Sequence, residues 1–153
     1  MDSRVAVVSA EFRHINVIAN RLRAIDREEC AAMGRTAKQA LRLGLATSGK
    51  AWTALVDGKP EAMFGVVVED LINGRGTPWF LGTDEVYRHG RELLMWGPGF
   101  VSRLGDSLRR LDNLVSARNR QAIRLLARWG FTVEEEDIMV RDVAFRRFSK
   151  VMA

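Results

Sequence analysis

The stretch from Leu114 to Phe131 constrains the fold more than any other in this 153-residue chain. Leu114 to Ala117 is a short apolar run that reads as a strand. Asn119 follows as a helix cap, since its side chain accepts from the free N–H groups of a first turn. Ala122, Leu125, Leu126 and Trp129 recur at helical spacing and give that helix one apolar face. Gly130 stops it, and Phe131 opens the next strand. Strand, helix and strand in direct succession call for a sheet covered by helices.

Upstream, the period of the pattern changes twice. Val5 to Ser9 reads as a first strand, and Ile15, Ile18, Ala19 and Leu22 recur as on a helix. Asp26 with Glu29 makes a capping-box pattern before Cys30, Ala31, Ala32 and Met33, and Gly34 ends that helix. Thr36 with Gln39 repeats the pattern before Ala40, Leu41 and Leu45. Ala51 to Val56 is a strand, Asp57-Gly58 a hairpin turn, and Ala62 to Val68 the returning strand. Gly65 within it signals a bulge or a close backbone approach. Asn73 to Gly76 is a loop, and Thr77 to Thr83 a buried strand. Three strands on short loops predict an antiparallel meander.

Helix returns after Thr83. Leu93, Leu94 and Trp96 lie in a segment ended by Gly97, and Pro98 opens a new helix, where its missing N–H costs nothing. Val101, Leu104, Leu108 and Leu111 continue that face. Phe131 to Val133 and Ile138 to Val140 read as a final pair of strands around the acidic run Glu134 to Asp137. The tail, Val143 to Phe148, is either a strand or loosely packed. The sum is a single α/β domain over residues 1–153, with a mixed, twisted central sheet and helices on both faces.

Composition narrows the function. One cysteine, Cys30, allows no internal disulfide, and with only His14 and His89 a zinc site is not expected. No apolar run is long enough to span a membrane, and the start lacks the apolar core of a signal peptide, so a cytoplasmic protein is expected. The net charge of +5 suits a polyanion or a phosphate-rich cofactor. No run of five like charges occurs, so nucleic acid binding rests on charge alone.

The segment Asn119-Arg120-Gln121-Ala122 through Gly130-Phe131, with this element order, resembles the GNAT superfamily of acetyltransferases. Thr77-Pro78-Trp79-Phe80-Leu81-Gly82-Thr83 looks like a segment of a GNAT-like family encoded by tailed bacteriophages and prophages. So do Ala62 to Val66, Leu111 to Val115 and Phe145-Arg146-Arg147-Phe148. That family includes relatives of a virion-associated protein of short-tailed phages. The resemblance implies an N-acetyltransferase that takes acetyl-CoA and passes the acetyl group directly to an amine. It equally admits a phage virion or assembly protein that keeps the fold without the chemistry, with phage structural proteins or a second copy of itself as partners. Fold alone does not choose between them.

The resemblance also implies a site. Acetyl-CoA is expected between two parallel strands, at Leu81 and Thr83 on one and near Asn119 beyond the other. Its pyrophosphate is expected at Arg88, His89, Gly90 and Arg91, where a helix N-terminus offers free donors. The usual loop has two glycines where Asp84 to Arg91 has one, so the alternative is a charged helix start without a ligand. Leu126 occupies the slot where many such enzymes carry a proton-donating tyrosine. The only tyrosine, Tyr87, would serve only if its loop folds inward. A general base is expected at Glu69, with a solvated strand end as the alternative. The remaining candidates read as structural. Arg120, Arg124 and Arg128 form a solvated stripe, the four tryptophans anchor core or rim, His14 lies on the surface, and Cys30 is buried rather than nucleophilic.

Overall fold

The computed structural model describes residues 4–152. The chain runs β1 (Val5–Ser9), a 3-10 turn (Phe12–His14), α1 (Ile15–Ala19), α2 (Ala24–Ala32), α3 (Ala37–Thr47), β2 (Ser48–Val56), β3 (Lys59–Asp70) and β4 (Arg75–Gly82). It continues through α4 (Asp84–Tyr87), α5 (Gly90–Leu104), β5 (Arg110–Ser116), α6 (Arg120–Arg128), β6 (Thr132–Val133), β7 (Ile138–Val140) and β8 (Val143–Val151). One mixed sheet has the order β1-β2-β3-β4-β5-β8-β6, with β7 also paired to β8. All its pairings are antiparallel except β4 with β5.

Local chemistry explains most of these boundaries. Asp57 and Gly58 both take positive φ (50° and 82°), as a two-residue hairpin turn matched to strand twist requires. Thr36 and Gln39 form the expected capping box at α3. An added Cβ at Gly65 would lie 2.6 Å from the Lys50 carbonyl oxygen, so the glycine there marks a close approach of β2. Side chains alternate across β3: Met63 packs under α1 and α3, and Phe64 packs with Val86 and Phe80 on the other face. Helices α5 and α6 cover that second face, with Val101 and Leu104 of α5 and Ala122 and Leu126 of α6 packed in one cluster with Leu111 and Val115 of β5.

Several local expectations need correction. Gly97 and Pro98 do not divide two helices; α5 runs unbroken through Pro98. Leu94 and Pro98 are both exposed, so the Leu94 carbonyl that loses its N–H partner faces water and the loss costs little. Asp26 and Glu29 do not cap α2, which begins at Ala24 with Arg23 as its N-cap. His14 is buried, with Nδ1 2.8 Å from the Thr53 hydroxyl, and burial pushes its pKa down. The segments Thr132–Val133 and Ile138–Val140 pair with β8, not with each other. The tail is that β8 strand, between β5 and β6, with Phe145 and Phe148 buried.

Gly97 has a packing role. A Cβ built on it would lie 1.8 Å from Trp129 Nε1, which donates to the Leu93 carbonyl at 3.0 Å. Gly99, two residues on, has nothing within 4 Å. Gly97→Ala is therefore expected to destabilise by about 1–3 kcal/mol through overpacking against a rigid indole. Gly99→Ala should stabilise by about 0.5–1 kcal/mol through helix propensity. Urea unfolding of the two variants checks the contrast; equal effects would place Trp129 elsewhere.

Candidate functional site

The parallel strands β4 and β5 pair only at Arg75–Arg110 and Gly76–Leu111, and then diverge. Sequence explains the split. Thr83 donates its N–H to the Glu61 carbonyl of β3, so by two-residue alternation the backbone groups of Gly82, Phe80, Pro78 and Gly76 face β5. After Gly76, the next N–H owed to β5 would come from Pro78, which has none. Asn113 partly mends the gap by donating its Nδ2 to the Pro78 carbonyl at 2.8 Å.

Helix α2 closes the wide end. Asp26 Oδ2 accepts from the Gly82 N–H at 3.0 Å, and the Arg23 N–H reaches the Gly82 carbonyl at 3.0 Å. Glu29 Oε1 accepts from the Ser116 N–H at the end of β5 (3.3 Å) and from Asn119 Nδ2 (2.8 Å). One helix thus holds the ends of both diverging strands. With the Gly82 N–H occupied and Pro78 lacking one, Phe80 keeps the backbone N–H that faces the gap.

A cavity of about 510 Å³ passes through this gap and reaches both faces of the sheet. On the α2–α3 side its wall includes Asp26, Glu29, Cys30, Trp79 and Leu81. On the α5–α6 side it includes Phe80, Tyr87, His89, Leu126 and Trp129. Its size is that of a small-molecule site.

Burial sets the charge states. It pushes the Asp26 carboxyl up to about 6, against the Gly82 N–H bond and Arg23, which favour the anion. It pushes Glu29 up to about 7, against the Asn119 bond, and the Asp26 charge adds to the rise. Cys30 is buried and its thiol rises to about 11, so it stays protonated and inert. Tyr87 is turned inward under the Arg23 guanidinium, which lies 3.9 Å from its ring centroid, and burial raises its pKa. The loop condition set for this tyrosine is met.

The residues expected from sequence divide into two groups. Leu81, His89 and Asn119 line the cavity, and so does the rim residue Glu69, exposed near the end of β3. Asn119 caps α6 through Ala122 N–H and also accepts from Arg23. Thr83, Arg88, Gly90 and Arg91 do not line it. Thr83 is buried against Glu61, to which its hydroxyl donates. Arg88 pairs with Glu85 at 2.6 Å, and His89 sits between Glu85 and Glu92. Gly90 opens α5 with free space around it, and Arg91 is exposed. Arg120, Arg124 and Arg128 are exposed.

Arg23, Asp26 and Glu29 were missed. A signal existed: Asp26, Glu29, Cys30 and Met33 lie at i, i+3, i+4 and i+7, so two carboxylates share the stripe of α2 that carries Cys30 inward. Charges on a buried stripe mark either a paired strut or a site.

No model of a known protein family matches the chain, and no curated protein matches it in sequence. Solved structures do match it in shape. A candidate acetyltransferase from Acinetobacter baylyi superposes with a TM-score of 0.73 at 12% identity, covering 99% of this chain and 95% of that one. A GNAT-family acetyltransferase from Streptococcus pneumoniae gives 0.63 at 14% identity, covering 97% and 100%. An aminoglycoside acetyltransferase in complex with coenzyme A gives 0.65 at 15% identity, covering 97% and 95%. What this chain shares with them is the fold, that of the GNAT acetyltransferases.

Proposed function

We propose that this chain is an acetyl-CoA-dependent N-acetyltransferase. The observation that carries the reading is the cavity through the sheet where β4 and β5 part. It gives an acyl donor one face, an acceptor the other, and a meeting point between the strands. Part of a donor site is present. The first turn of α5, at Gly90, has open space for a pyrophosphate with the exposed Arg91 beside it, and Arg88 would join by leaving Glu85. Bound there, acetyl-CoA would supply an activated thioester.

The chain's own groups do the rest. The Phe80 N–H is placed to polarise a carbonyl in the gap. Glu29, about half ionised at neutral pH and beside the cavity, accepts a proton from the acceptor's ammonium, a role that Glu69 at the rim is less suited to fill. Tyr87, turned inward at the cavity wall, is the chain's candidate proton donor for a leaving thiolate and takes the part that Leu126 cannot. Apolar walls from Phe80, Trp129 and Leu126 exclude water.

Acetyl-CoA at a hundred times its Kd is expected to stabilise the chain by about 2.7 kcal/mol. That should appear as a rise of about 5–10 °C in Tm for a domain of this size. No shift at millimolar acetyl-CoA would sink the enzyme reading. It would favour the phage virion or assembly role, which rests on the sequence likeness of Thr77 to Thr83 and the segments that accompany it.

A further inference from the structure

We infer that the acceptor is a primary amine with an apolar body, its ammonium seated against Glu29 in the α2–α3 side of the cavity. The inference rests on the acetyltransferase reading of that cavity and adds the chemistry of its second substrate.

The hydrogen-bond partners of Glu29 are all neutral. Its Oε1 accepts from a backbone N–H and a side-chain amide, and its Oε2 makes no hydrogen bond among the described residues. The nearest cation, Arg23, is already committed to Asp26 at 3.2 Å, Gln121 at 3.0 Å and Asn119 at 3.3 Å. A half-buried carboxylate without a counter-ion is costly, and a ligand ammonium supplies one. Next to Glu29 the wall turns apolar through Cys30, Met33, Ala40, Leu43, Trp79 and Leu114. Those side chains suit an alkyl or aryl body.

The test uses hexylamine and 1-hexanol on the full chain at pH 8, followed by calorimetry without acetyl-CoA. Hexylamine is expected to bind at least ten-fold more tightly than hexanol. Glu29→Gln, which keeps an oxygen for Ser116 and Asn119, should lose at least ten-fold of the hexylamine affinity. Hexanol binding as well as hexylamine, or an unchanged Glu29→Gln, would each overturn the inference. The hexanol comparison needs no variant. Acetyl-CoA binding is measured in parallel. If acetyl-CoA binds and hexylamine does not, only the acceptor assignment fails. If hexylamine binds and acetyl-CoA does not, the amine site stands and the acetyltransferase reading falls.

Discussion

Phe145→Ala is expected to cost about 3–5 kcal/mol, the range for truncating a fully buried phenylalanine. Phe145 is 1% exposed. It stands opposite Ser116 of β5 on one side and Ile138 of β7 on the other, so it sits where the sheet is joined beyond the gap. The void would open into the wall of the cavity, where Phe145 is one of the lining residues. Domains of this size have about 5–15 kcal/mol to lose, so the variant should unfold at a much lower urea concentration. Phe12→Ala is the control. Phe12 is 63% exposed in the 3-10 turn, and its truncation should fall within about 0.5 kcal/mol of zero. A small effect at Phe145 would mean that β8 does not hold this register.

Much of this fold was legible because its joints are built from residues with one local solution. Gly34 and Gly130 take positive φ (80° and 94°) just past the ends of α2 and α6, as their positions in the sequence suggest. Asp57-Gly58 and the Thr36–Gln39 box speak for themselves in the same way. The errors fall where a local signal met a distant partner. Asp26 and Glu29 have the spacing of a cap, but their carboxylates go to Gly82 and Ser116, 56 and 87 residues away. Pro98 has the look of a first helical residue, but packing at Gly97, Val101 and Leu104 carries α5 straight through it. His14 is polar and sits on a five-residue helix's edge, yet Thr53 of β2 gives it a buried partner. The site was less legible. Of the loop residues after β4 expected at a pyrophosphate, only His89 lines the cavity, and the α2 carboxylates reach it through the tertiary fold. Pro78 was the missed clue to the gap itself, since a proline with its nitrogen turned toward a parallel neighbour ends that ladder.

The α2 carboxylates carry a second large prediction, in the pH dependence of stability. Asp26 has a pKa near 3.9 in an unfolded chain and about 6 here; Glu29 goes from near 4.3 to about 7. Below about pH 4 both states hold both protons, and the groups contribute their full stability. Between the unfolded and folded values only the folded chain keeps the proton, so each rise in pH favours unfolding. The contribution is lost as pH passes about 6 for Asp26 and about 7 for Glu29, roughly 3 kcal/mol for each taken alone. His14 works the other way, because burial lowers its pKa and stability from its neutral form grows as pH rises toward neutral. The measurement must therefore compare variants, in which His14 cancels. Relative to the unaltered chain, Asp26→Asn and Glu29→Gln should each gain about 2–3 kcal/mol between pH 4.5 and pH 8, read from urea midpoints. The gains should fall short of additive, since the Asp26 charge is one of the causes of the Glu29 rise. Variants that track the unaltered chain at both pH values would show that these carboxylates are solvated. They would then need no ammonium to neutralise them, and the amine site would lose its physical basis along with the pH effect.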